Sequence, residues 1–133
     1  MGKLLKIISF AHDNNYTIGN ISGNNVLIEP DKHYVIVFNW SMAEFHHDKV
    51  PASDQRREIQ AAANLAIKLL GDALDKTCDA DLPYVHYLRS LVMDGEYSAR
   101  EAHRTFYEIV DALCEIPDSS MVAGFHEFTT LRV

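Results

Sequence analysis

The chain has 133 residues with a formal net charge of −7, and 47% of its residues are hydrophobic against 23% charged. A chain of this length buries one core, which indicates a single domain over residues 1–133 and excludes a two-lobed enzyme. The acidic balance without a basic block excludes a general nucleic-acid surface, and no apolar run reaches the roughly 18 residues that a membrane span requires. We therefore expect a soluble cytoplasmic domain whose partners are neither nucleic acids nor membranes.

The first predicted element is a helix over residues 2 to about 13. Apolar residues recur there at three- and four-residue intervals, which is typical of a helix with one buried face. Asn14-Asn15 is expected to end this helix, because asparagine tolerates left-handed backbone.

A short β-hairpin is predicted next. Residues 24–29 and 34–38 are rich in β-branched and apolar side chains, and Pro30-Asp31 between them is a turn signal. The fold class that we expect is mainly α, a helical bundle with this one hairpin.

A long and largely buried helix is predicted after the hairpin. Ser53 is its candidate N-cap, and Gly71 is its candidate stop. The apolar residues that follow helical spacing between them are Ile59, Ala62, Ala63, Ala66, Ile67, Leu69 and Leu70.

Two more helices and a tail are predicted in the remaining sequence. One helix covers 82–93, and the last is capped by Ser98 and runs to about Cys114. Residues 116–133 show no clear period, so they are expected to lie across the domain as an extended tail. The expected buried stripe of the last helix is Ala102, Phe106, Ile109, Val110 and Leu113.

Polar residues around the first helix and the hairpin have a distinctive spacing. The helix ends in Phe10-Ala11-His12, Asn20 precedes Asn25 by five positions, Val26-Leu27-Ile28 follows at once, and the second strand leads to Asn39-Trp40-Ser41. This order resembles the start of the C-terminal lobe of protein kinases. There an Ala-His pair leads to a His-Arg-Asp or His-Gly-Asp loop, an asparagine follows the aspartate by five positions, and Asp-Phe-Gly or Asp-Trp-Ser follows the next apolar strand.

The resemblance covers nearly the whole chain. Degenerate bacterial and phage serine/threonine kinase-like proteins finish with a Leu-Pro helix and a Phe-x-x-Phe tail, to which Leu82-Pro83 and Phe125-His126-Glu127-Phe128 are similar. Glu58, Gln60 and Ala63 occupy the positions of the Asp-x-Trp-x-x-Gly pattern that begins the central kinase helix. In the family this acidic position braces the backbone of the catalytic loop, which implies a structural role for Glu58.

The resemblance implies a kinase-like site without its acids. Phosphoryl transfer needs a carboxylate that orients the attacking hydroxyl and metal ions that neutralise the phosphates. Asn20 stands at the position of the catalytic aspartate, and Asn25 and Asn39 are the remnant of the nucleotide and metal site. The first hypothesis is therefore a catalytically inactive pseudokinase lobe, lacking the N-lobe and holding neither cofactor nor metal, that acts in binding or scaffolding.

The second hypothesis is an enzyme completed in trans. Another chain would supply the nucleotide-binding lobe, and Mg·ATP would then be the cofactor of the assembled phosphotransferase. An apolar face left open by the missing N-lobe is expected near Tyr16, Ile18 and Trp40, to be covered by a protein partner or by a second copy of the chain.

The same residues also have ordinary structural interpretations. Asn20 and Asn25 can hydrogen-bond the loop backbone, and we favour this role over ligand binding. The adjacent histidines His46-His47 point in different directions and lack further ligands at matched spacing, so no metal site is predicted. Cys78 and Cys114 have no metal-type spacing and are expected to be free thiols, while a bridge between them remains an alternative.

Overall fold

The computed structural model describes residues 1–77, 83–93 and 98–114. The described part is mostly helical, with two small antiparallel sheets of two strands each. This confirms the mainly α class with a short hairpin. In chain order the elements are α1 (Gly2–Asp13), β1 (Tyr16–Thr17), β2 (Val26–Glu29), β3 (Tyr34–Val37), a 3₁₀ turn (Trp40–Met42), β4 (Glu44–Phe45), α2 (Ala52–Thr77), α3 (Pro83–Met93) and α4 (Ala99–Cys114).

Helix α1 has the predicted bounds and the predicted buried face. Leu5 and Ile8 are completely buried, because their three-residue spacing places both on the side that faces the core. The helix ends where Asn15 takes the left-handed conformation, with φ of 67°, and its amide donates to the His12 carbonyl at 3.0 Å. The paired asparagines therefore end the helix as the sequence predicts.

The predicted hairpin is present, with β2 and β3 antiparallel and Leu27 opposite Ile36. A second sheet, β1 paired with β4, is not predicted by the sequence. Each of its strands has two residues, which is too short for any periodicity to be read. This second sheet ties the segment before the asparagine loop to the segment after the hairpin.

Helix α2 differs from the prediction at its start. It begins at Ala52, where the Pro51 carbonyl accepts from the Asp54 amide at 3.0 Å, so Ser53 lies inside the helix and the predicted Ser53 cap is wrong. At Gly71, the predicted stop, φ and ψ of 13° and −108° are non-helical, so the first helical segment ends there and a second one follows this kink to Thr77.

The predicted burial of α2 is confirmed for most of its apolar positions. Ile59, Ala62 and Ala63 are completely buried, and Ala66, Ile67 and Leu70 are partly buried against the core. Leu69 is 62% exposed, so its predicted burial is wrong.

Helices α3 and α4 match their predicted positions in the described residues. The Ser98 hydroxyl accepts a hydrogen bond from the Glu101 amide at 3.2 Å, so the predicted cap of α4 is confirmed. Ala102, Phe106 and Val110 are buried, as the spacing predicts. The predictions for Leu82, the Leu113 side chain, the two thiols and the tail lie outside the described residues.

The core lies where the helices meet, with the hairpin packed on one side. Helices α1 and α4 approach closely, because Gly2 is so near the Tyr107 ring that a Cβ atom there would lie 2.6 Å from the Tyr107 hydroxyl oxygen. None of the helices in the described ranges is long and apolar enough to cross a membrane. The largest fully buried apolar side chains are Leu5, Ile8, Ile18, Val50, Ile59, Val85, Leu88, Leu91, Phe106 and Val110.

Candidate functional site

The candidate site is a loop between α1 and β2, here called the asparagine loop and defined as residues 18–25. Ile18 and Ile21 anchor it, since both side chains belong to the hydrophobic core. Gly19 lies between them with φ of 95°, in the left-handed region that favours glycine. A Cβ atom at Gly19 would overlap the Met42 carbonyl oxygen, so the loop backbone lies directly against the 3₁₀ turn.

The Glu58 carboxylate on α2 contacts both this loop and the end of α1. One of its oxygens accepts from the Gly19 amide at 2.6 Å, and the other accepts from His12 Nε2 at 2.7 Å. Glu58 is 2% exposed and His12 is 7% exposed. A buried carboxylate requires donors, and it finds them here on the end of α1 and on the loop. Glu58 therefore joins α1, α2 and the asparagine loop at one point.

His12 is the partner of Glu58 that sequence reasoning missed. An ionised carboxylate only accepts hydrogen bonds, so Nε2 is the ring nitrogen that carries the hydrogen. The other ring nitrogen, Nδ1, is buried and has no hydrogen-bond partner in the described part of the chain. The signal that could have found this pair is the place of His12 at the end of the first helix, just before the loop.

The Asn25 side chain is buried and used within the loop itself. Its Oδ1 accepts from the Ser22 amide at 2.8 Å, and its Nδ2 donates to the Asn20 carbonyl. Its backbone carbonyl accepts from the Phe38 amide at 2.9 Å, which links the loop to the end of β3. The Asn25 amide thus stabilises the loop backbone, and its carbonyl oxygen, the atom that a metal ion would need, already accepts a hydrogen bond.

Asn20 and Asn39 are both exposed, on either side of this link. Asn39 takes the left-handed conformation, with φ of 58° and ψ of 70°, and its Oδ1 accepts from the Ser41 hydroxyl at 2.8 Å. Asn25 contacts the Asn20 backbone directly and the residue before Asn39 through its own carbonyl. The structure therefore places the segments that contain Asn20, Asn25 and Asn39 next to one another.

The expected open face is only partly where the sequence places it. Tyr16 and Trp40 are 44% and 43% exposed, but Ile18 is 1% exposed and belongs to the core, so its assignment to that face is wrong. The sequence reasoning missed Phe10, which is 71% exposed, and Tyr34, which is 55% exposed. For Tyr34 the signal was available in the strands, whose nearly continuous apolar runs are typical of a sheet covered on both faces.

The two adjacent histidines make separate contacts. His46 Nε2 lies 3.3 Å from the Thr17 hydroxyl, and the His47 ring packs edge-on against Phe45 with centroids 5.3 Å apart. No group of three or more potential metal-ligating side chains occurs in the residues that the structure describes.

His103 on α4 lies near Lys6 on α1. Partial burial, and secondarily the Lys6 ammonium, lower the pKa of His103 from its ordinary value of 6.5. The unfolded chain therefore binds a proton at this histidine more readily than the folded chain does. As the pH falls below 6.5, this group contributes a loss of stability that is complete below the folded pKa.

The site thus consists of the buried Glu58 carboxylate, the asparagine loop that it holds, and the adjoining Asn39. Hydrogen bonds keep the loop backbone in place, while Asn20 and Asn39 present uncharged amides to solvent. Comparisons with family models, with curated proteins and with solved structures found no match to this chain.

Proposed function

We propose that this chain is a catalytically inactive module resembling the C-terminal lobe of a protein kinase, and that it works in the cytoplasm by binding or scaffolding. The observation that carries the proposal is the hydrogen bond from the Gly19 backbone amide to Glu58 on the following helix, with His12 bound to the other oxygen of the same carboxylate. This is the role that the family resemblance implies for the acidic position of the central helix.

The chemistry of the asparagines supports an inactive module. The amide of Asn20 can accept a hydrogen bond from a hydroxyl but cannot take its proton, a role worth roughly 10² to 10⁴ in rate. Asn39 offers Mg²⁺ a neutral oxygen where this hard cation prefers a carboxylate. The Asn25 oxygen already accepts from the Ser22 amide. The loop thus keeps its geometry without the charges that phosphoryl transfer requires.

ATP hydrolysis tests this proposal. The purified chain is incubated with Mg·ATP, and phosphate release is compared with buffer and with the Asn20→Ala variant. We expect release at the buffer rate in both samples. Mg²⁺-dependent hydrolysis that disappears in Asn20→Ala would show that the chain is an enzyme and would overturn the proposal.

A second candidate is the C-lobe half of a serine/threonine kinase-like phosphotransferase that another chain completes in trans. The exposed aromatic side chains favour it, because Phe10, Tyr16 and Trp40 present apolar surface that a second lobe would cover. Pull-down of the chain from its native source separates the two candidates. Mg·ATP-dependent phosphotransfer in the recovered complex, lost with Asn20→Ala bait, supports the enzyme, and a complex without it supports the binding module.

A further inference from the structure

A groove runs along the surface between α1 and the hairpin. We call it the α1–β3 groove, and its walls are formed by the rings of Phe10, Tyr34 and Trp40 and by the side chains of Lys3 and Lys6. The three aromatic side chains are 71%, 55% and 43% exposed. Exposed rings that lie together in this way are uncommon on a surface without a binding role.

Part of the groove is held in a fixed shape. The Lys3 ammonium donates to the His33 carbonyl at 2.6 Å and lies 5.6 Å from the centre of the Tyr34 ring. Trp40 is fixed in turn, because its indole N–H donates to the Val37 carbonyl at 2.9 Å. A partner that binds here would therefore not have to order these side chains, which lowers the entropic cost of binding.

The hairpin carries apolar side chains on both of its faces. Val26, Val35 and Val37 pack against the core from one face. On the other face Tyr34 and Ile36 alternate with them along β3 and are about half exposed, at 55% and 48%. Tyr34 also lines the groove, so a partner bound in the groove would cover part of this open face.

The charge of the groove indicates the kind of partner. Both charged residues that line it are lysines, although the whole chain has a formal charge of −7. Within the described ranges Lys6 makes no hydrogen bond or ion pair, so its ammonium is free to meet an acidic group. A second copy of this acidic chain would be repelled on approach, whereas an acidic segment with an apolar side would be attracted.

We infer that the α1–β3 groove binds an acidic amphipathic helix of a partner protein, with its apolar side against the three rings and its Asp or Glu side chains beside the lysines. This inference rests on the proposed binding function and names the chemistry of the partner. A helix laid in an apolar groove with charged rims is a recurring mode of recognition.

Two designed peptides test the inference. Both are fluorescein-labelled helical peptides of the same length with leucine along one face. One peptide carries glutamate at all the remaining positions, and the other carries lysine at those positions. Fluorescence anisotropy with the full chain should show saturable binding of the glutamate peptide only. We expect Lys6→Glu and Phe10→Ala each to weaken that binding tenfold or more. Lys68→Glu makes the same charge change on the exposed surface of α2 and should leave the dissociation constant unchanged.

The possible outcomes separate this inference from the proposed function. Equal binding of the two peptides, absence of binding, or an unchanged dissociation constant for Lys6→Glu with unchanged melting temperature would overturn the groove assignment. A concentration-dependent dimer in sedimentation that Phe10→Glu abolishes would also overturn it, since a second copy would then be the occupant. Hydrolysis of Mg·ATP by the same sample would overturn the inactive module and leave the peptide result standing.

Discussion

Gly19 is the position at which the asparagine loop accepts no side chain. Its φ of 95° disfavours any other residue, and a Cβ atom would overlap the Met42 carbonyl oxygen. We expect Gly19→Ala to lower the free energy of unfolding by roughly 1–3 kcal/mol, because the loop or the 3₁₀ turn must move. Urea denaturation measures this change.

Gly23→Ala is the matched control for that substitution. Gly23 belongs to the same loop, but a Cβ atom there would meet nothing within 4 Å. Its stability should stay the same or rise slightly, because alanine reduces the freedom of the unfolded chain. Equal urea midpoints for the two variants would contradict the close approach of the loop to the 3₁₀ turn.

Glu58 gives the second test at this scale. Replacing its carboxylate by an amide in Glu58→Gln weakens two hydrogen bonds to a buried charge, and we expect a loss of roughly 1–3 kcal/mol in the free energy of unfolding. Hydrogen exchange of the Gly19 amide should quicken, since that amide donates to Glu58 at 2.6 Å. Glu44→Gln, at an exposed residue of β4, should change neither quantity.

The Glu58 account fails if Gly19 exchange and the urea midpoint are both unchanged in Glu58→Gln.

The sequence drew attention to Glu58 through its spacing in the family pattern. The place of His12 at the end of the first helix was the one local signal for its pairing with Glu58, which lies 46 positions away in the sequence. Ile18 was misplaced because its burial depends on a core that is built mostly from helix residues distant in the sequence.

At the scale of elements, local signals predicted what local interactions determine. The bounds of α1 and the Ser98 cap of α4 follow from periodicity and from side-chain hydrogen bonds within a few residues. The pairing of β1 with β4 could not be predicted, because it depends on a contact between distant short segments. Gly71 breaks the helical backbone where the sequence predicts a stop, but the second helical segment that follows to Thr77 is not predicted.

The two serines near helix starts provide a matched pair. Ser98 accepts from the Glu101 amide at 3.2 Å, so Ser98→Ala should cost about 1 kcal/mol of stability through the lost cap. Ser53 lies within α2 on the exposed surface, and Ser53→Ala should be neutral or slightly stabilising, since alanine is the better helix former. Thermal or urea unfolding measures the stability of both variants, and an equal loss of stability in both would contradict the assigned start of α2.

At the scale of the whole molecule, the fold holds a loop, residues 18–25, that carries no charged side chain. The helices and the hairpin hold the asparagine loop through Glu58 and Asn25, whose side chains are both about 2% exposed. The exposed side chains of Asn20 and Asn39 are uncharged amides. The groove beside α1, in contrast, combines exposed rings with two lysines, so the features suited to binding lie next to the loop and not on it.

The most direct test is the melting temperature of the chain with ATP, measured with and without Mg²⁺. A ligand at a hundred times its dissociation constant stabilises a fold by about 2.7 kcal/mol, which for a domain of this size raises the melting temperature by on the order of 10 °C. We expect no Mg²⁺-dependent shift, because neither Asn20 nor Asn39 carries the charge that holds the metal and its phosphates. A rise with Mg·ATP that is lost in Asn39→Ala would contradict the account.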